Sequence, residues 1–181
     1  PLNWAGLRHW AERVPIETPV EFALCLDTVT LAGSDSDSKE TFYLHVSKPP
    51  KDAAVRRFYD AFGNAAKALG LPRLEVVHKK VNVAKAEADW PHEALAMKRI
   101  LGATLSRLPS APATDSLLAR TSVLDRRAAE PAEVARAAQL VGEALARILY
   151  PSVAESSGKA LAESFAPSQQ RLGEWTAALA G

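Results

Sequence analysis

The stretch Val20-Glu21-Phe22-Ala23-Leu24-Cys25-Leu26-Asp27-Thr28 is a short apolar run that ends on a carboxylate. Its length and polar stop predict a buried strand over 20–26. In an open α/β sheet, a carboxylate at the carboxyl end of such a strand points into the crevice where ligands bind. Asp27 is therefore a candidate metal ligand, and what it can hold depends on partners elsewhere in the chain.

Outward from this run, strand and helix patterns alternate. Thr41-Phe42-Tyr43-Leu44-His45-Val46 predicts a second strand, stopped by Pro49-Pro50. A helix is expected over about 52–69, with Val55, Phe58, Tyr59, Phe62 and Ala66 in one apolar stripe. Gly70 suits its C-terminal cap and Pro72 blocks continuation. Further strands are expected over 74–78 and 101–106, with a short helix over 92–99 between them. Pro131 fits the first turn of a helix over 131–150. Its stripe is read as Val134, Ala138, Val141, Leu145 and Ile148 or Leu149. An opening helix over 4–13, capped by Asn3, and a final helix over about 168–180 complete the pattern. The fold class is α/β, a mostly parallel sheet flanked by helices. Residues 1–150 read as one unit, 151–167 as a linker, and 168–181 as the terminal helix.

The bulk properties are those of a globular domain. The 181 residues are 48% hydrophobic and 24% charged, enough to bury a core. With 22 basic and 21 acidic residues the formal net charge is +1, which speaks against a nucleic-acid partner. Cys25 is the single cysteine and cannot form an internal disulfide. No run approaches the roughly 18 apolar residues of a membrane span. The chain opens on Pro1 inside what reads as folded sequence, so it is expected to be a piece of a longer protein.

Local catalytic signatures are sparse. The histidines His9, His45, His78 and His92 fall in no HExxH or HxD spacing. No Gly-x-Ser-x-Gly elbow or glycine-rich phosphate loop occurs. The Asp/Ser loop at 33–40 lacks the glycine and terminal glutamate of a calcium loop. Trp4 and Trp10 are expected to pack their helix onto its own domain, although large aromatics also anchor partners.

Taken together, VEFALCLDTVT, FYLHVSKPPK and VHKKVNVAKAEADWPHEALAMKRILGATLSRL resemble the nicalin family, nicastrin-related membrane proteins of the endoplasmic reticulum. PLNWAGLRHWAER and QQRLGEWTAALAG look like corresponding stretches of that family. The resemblance is dense in the middle and loose over 110–130 and 151–167. It implies a fold similar to the M28 zinc aminopeptidases, of which this chain would be the carboxyl-terminal half. It also implies a parent anchored in the endoplasmic reticulum membrane with this domain in the lumen. The partners it implies are the nodal modulator protein, a small multipass membrane protein and the Sec translocon, in multipass membrane-protein biogenesis.

On that resemblance Asp27 falls where active M28 enzymes place a zinc-binding carboxylate. Asp89 and His92 fall near a turn that flanks the site in those enzymes. Their last zinc ligand is a histidine after the final core strand, whereas this chain reads Leu105-Ser106-Arg107-Leu108 there. Zinc needs three or more well-placed His, Cys or carboxylate ligands, and Arg107 would repel a cation. The expectation is a non-catalytic, pseudo-peptidase scaffold with no cofactor and no metal. Asp27 would be a vestigial ligand that accepts backbone hydrogen bonds, with Asp89, His92, Arg107 and Asp115 near a former cleft. The alternative is an active zinc aminopeptidase that recruits its last ligand elsewhere, for instance Asp115.

Overall fold

Short apolar runs between polar turns become strands in the computed structural model, which describes residues 4–14, 20–30, 41–47, 51, 53–71, 73–82, 84, 88–111, 131–152 and 168–180. Its strands are β1 (Ala23–Leu26), β2 (Thr41–Val46), β3 (Arg73–His78) and β4 (Gly102–Ser106). Its helices are α1 (Ala5–Arg13), α2 (Ala53–Ala68), α3 (Pro91–Met97), α4 (Pro131–Leu149) and α5 (Gln169–Ala180). Asn3, Asp115, the loop at 33–40 and residues 153–167 of the expected linker lie outside the described residues.

The strands form one sheet in the order β1-β4-β2-β3. β1 runs parallel to β4, with Ala23 opposite Gly102 and Leu26 opposite Leu105. β2 runs antiparallel to β4, with Tyr43 opposite Ser106 and Val46 opposite Ala103. The sheet is therefore mixed, which corrects the mostly parallel arrangement expected from strand–helix alternation. Alternation reports how neighbours in sequence connect, whereas β2 pairs with a strand contributed more than 50 residues later.

Burial follows place in the sheet. β4 is buried at every position, and β2 at all but Tyr43. The outer strands β1 and β3 have no fully buried residue. β1 is shorter than the apolar run that announces it, and Leu26 is 56% exposed. Gly102 permits the close approach of β1 and β4, because a Cβ there would stand 2.7 Å from the Ala23 carbonyl oxygen.

The chain divides into two compact units. The first draws on Pro1–Thr28, Tyr43–Pro49 and Val76–Arg126. In it α3 packs against β4 and β1, and α1 packs against α3. α3 starts on Pro91, and Glu93 in its first turn accepts a hydrogen bond from the Asp89 N–H at 2.8 Å, which ties down the chain entering the helix. α1 is capped by Trp4, in the left-handed region at φ 58°, without a side-chain cap. The Trp4 indole N–H reaches the Ala88 carbonyl at 3.4 Å, so this aromatic serves its own domain. Trp10 remains 45% exposed.

The second unit draws on Val29–Phe42, Pro50–Glu75 and Arg127–Gly181. α2 buries Val55, Phe58, Tyr59, Phe62 and Ala66, the stripe its spacing predicts. It ends as expected at Gly70, φ 62°. The Gly70 N–H donates to Lys67 and the Leu71 N–H to Ala66, the paired bonds that a left-handed C′ glycine allows.

α4 corrects the expected stripe. Its buried face is Glu133, Ala135, Ala137, Leu140, Glu143 and Ala144. Ala138 and Leu145 face solvent, Leu145 at 42% exposure. The helix carries apolar residues nearly all round, so periodicity alone leaves its rotation open. Small alanines let α4 lie close against α2. The buried Glu143 is tolerated because Arg147 holds it, with Nη2 2.7 Å from Oε1.

Candidate functional site: a strand-end crevice

Asp27 and Arg107 each follow directly on the last residue of adjacent parallel strands, β1 and β4. The ladder continues one step past the strands. The Asp27 N–H donates to the Leu105 carbonyl at 3.1 Å, and the Arg107 N–H to the Thr28 carbonyl at 2.9 Å. These bonds place Asp27 at the carboxyl end of the sheet, where its position in the sequence predicts it.

The carboxylate is not held by backbone donors as expected. Its Oδ1 accepts from the Thr28 hydroxyl at 3.0 Å, and its Oδ2 is buried without a hydrogen-bond partner. Thr28 itself sits in the left-handed region at φ 49°, a costly place for a β-branched residue. Arg107 is wholly buried.

Behind the crevice lies a buried polar cluster. His92 is 1% exposed. Its N–H donates to Thr104 Oγ1 at 3.3 Å, and its Nδ1 lies 2.8 Å from the same oxygen. Burial, reinforced by the neighbouring His45, pushes the His92 imidazole down to about 4. His45 faces the Leu108 carbonyl at 2.8 Å through Nε2. A carbonyl can only accept, so this nitrogen carries the proton. The His45 ring stacks on Trp90 with centroids 4.2 Å apart. Burial lowers the His45 pKa, partly opposed by the Leu108 bond and by Asp27. Both imidazoles are therefore neutral near pH 7. Cys25, opposite Thr104 in the ladder, has its thiol pushed up to about 11 by burial, with Asp27 adding to the shift. It is an unreactive thiol.

Asp89 is occupied at the surface. Its Oδ2 receives Lys79 Nζ at 2.6 Å, with the two side chains 24% and 58% exposed. The structure thus brings together Asp27, His45, Thr104 and His92, whereas Arg107 is buried at the end of β4 with its backbone on Thr28 and Asp89 is engaged outside this set. His45 and Thr104 are members that spacing did not single out. The one available signal was a polar residue in the middle of each of two apolar strands.

This donor set does not fit zinc. Among the described residues no three His, Cys, Asp or Glu side chains gather as a metal site. The two buried imidazoles are turned to Leu108 and Thr104. The arrangement can hold a buried polar network and one partly satisfied carboxylate.

Comparison with known proteins places similarity along most of the chain. It is 32% identical over 159 residues to the dog protein "BOS complex subunit NCLN", covering 82% of this chain and 26% of that protein. The human protein of the same name is 30% identical over the same shares. Nicalin of Caenorhabditis elegans is 27% identical over 168 residues, covering 80% of this chain and 27% of that protein. The chain spans about a quarter of the length of the curated relatives it matches. No family model matches it.

Proposed function

We propose, from a chain that is nicalin-like over 82% of its length, that it serves as part of a non-catalytic, peptidase-like scaffold in a membrane-protein complex. The complex is of the BOS type, the assembly to which the names of the relatives refer. In this reading the fold is that of the M28 aminopeptidases, and the chain supplies the carboxyl-terminal half of the domain in the lumen of the endoplasmic reticulum. The partners are the nodal modulator protein and a small multipass membrane protein, acting beside the Sec translocon during insertion of multipass proteins. Residues 151–167 act as a linker to the terminal helix.

What supports the non-catalytic reading is the state of the strand-end crevice. In this reading Asp27 stands at a former metal-ligand position, and both nearby imidazoles are engaged, with no group of three ligand side chains among the described residues. A cation entering such a place meets too few ligands. The full-length lumenal domain provides the test, through metal analysis combined with an aminopeptidase assay. Substoichiometric zinc and no turnover are expected. Stoichiometric zinc with turnover that Asp27→Asn abolishes would establish the enzyme instead.

A further inference from the structure

β1 has the composition of an interior strand and the surroundings of an edge. The run from Phe22 to Leu26 is apolar at every position, the pattern of a strand buried on both faces. Yet among the described strands β1 pairs with β4 alone. None of its residues is fully buried, and Leu26 is 56% exposed. The ladder shows which backbone groups are left over. The Ala23 N–H donates to Leu101 at 2.9 Å and the Asp27 N–H to Leu105 at 3.1 Å. Alternate residues of a strand turn their backbone groups to the same neighbour, so Ala23, Cys25 and Asp27 face β4. Leu24 and Leu26 present their N–H and C=O groups to the opposite edge. β3, at the other end of the sheet, is built differently. There Arg73 and Glu75 pair at 2.7 Å, and His78 is exposed. Charged and polar side chains of this kind keep other strands off an edge, and β1 carries none.

We propose that β1 is an interior strand of a wider sheet, and that its open edge takes a strand from a part of the longer protein beyond these 181 residues. The relatives show the length from which such a strand can come, since the chain matches only 26% of theirs. An unprotected edge templates aggregation unless it is covered, and a strand of the same polypeptide is always at hand to cover it. A second copy of the chain fits less well. Pairing so short a strand as Ala23–Leu26 with its own mate buries far less than the roughly 1,200 Å² at which stable interfaces begin. The chemistry of the incoming strand follows from β1. Leu24 and Leu26 point to one face of the sheet, Ala23 and Cys25 to the other. The matching neighbour is apolar on both faces, about four to six residues rich in Val, Ile or Phe, with no proline inside. This inference rests on the reading of the chain as part of a larger peptidase-like domain. It does not depend on whether that domain is catalytic.

The test is amide hydrogen exchange at single-residue resolution on the purified full-length protein. The Leu24 and Leu26 amides are expected to exchange at least about 100-fold more slowly than unstructured amides, in step with Cys25. Rapid exchange at Leu24 and Leu26 beside a protected Cys25 would overturn the proposal. So would protection that falls on dilution, which assigns the edge to a second copy. Protection seen only with a partner protein bound would overturn it too, and assign the edge to that protein. Leu26→Lys gives an independent measurement. With Leu26 enclosed by a neighbouring strand, the buried ammonium is expected to lower the melting temperature of the full-length protein by about 5 °C or more. At an open edge a residue 56% exposed tolerates lysine, so a shift of less than about 2 °C would count against the strand. Stoichiometric zinc with turnover, alongside protected Leu24 and Leu26, would end the scaffold reading and leave this inference standing.

Discussion

Thr28 holds the tightest backbone constraint in the crevice. Its φ of 49° suits glycine far better than a β-branched residue, and its hydroxyl bond to Asp27 is exposed. Thr28→Gly is therefore expected to stabilise the protein by about 1 kcal/mol, raising the melting temperature by roughly 2–4 °C for a chain of this size. A fall in melting temperature would mean that the hydroxyl bond outweighs the strain. His92 governs the response to acid. Its folded pKa, about 4, lies below the ordinary 6.5, so the folded state binds fewer protons than the unfolded chain between those values. Stability is then complete above about pH 6.5 and lost as pH falls toward 4, by roughly 3 kcal/mol in all. The lowered pKa of His45 acts in the same direction. In urea titrations at pH 7.5 and 4.5, His92→Phe is expected to flatten this pH dependence. An unchanged slope would assign the acid sensitivity elsewhere.

Among the elements, β1 and α4 carry the sharpest tests. Gly102→Ala drives a Cβ to 2.7 Å from the Ala23 carbonyl. Loss of about 2 kcal/mol or more is expected, together with faster amide exchange across β1. In α4, Leu140 is fully buried while Leu145 is 42% exposed. Leu140→Ala should cost about 3 kcal/mol and Leu145→Ala less than about 1. Equal costs would put the buried face where the apolar pattern of the sequence suggests it. This contrast also marks what was legible. α2 carries its apolar residues on one side only, so its buried face could be read directly. α4 has apolar residues on nearly every side, so a tightly packed Ala/Leu face and a buried Glu143–Arg147 pair settle its rotation. Neither leaves a one-sided pattern in the sequence. Asp27 was legible for a different reason. A polar residue that stops an apolar strand has few places to go, and its backbone bond to Leu105 puts it at the sheet's carboxyl end.

For the whole molecule, the scaffold reading and the metal-binding reading diverge most at Asp27. Asp27→Asn in the full-length protein removes a carboxylate whose Oδ2 has no hydrogen-bond partner. On the scaffold proposal it is expected to leave assembly with the proposed partner intact, as measured by co-purification, and to change stability by less than about 1 kcal/mol. Loss of assembly together with loss of bound zinc would point to a working metal centre. The sequence by itself determined the α/β class, the sites of the strands and the buried face of α2, because these depend on local periodicity and on chain punctuation. It also carried the similarity to the nicalin relatives. Only the tertiary structure decided that β2 runs against β4, which face of α4 is buried, and that His92 meets Thr104 while His45 stacks on Trp90. Each of these depends on which distant segment lies alongside. A partner far away in sequence leaves no periodic trace in the segment it covers.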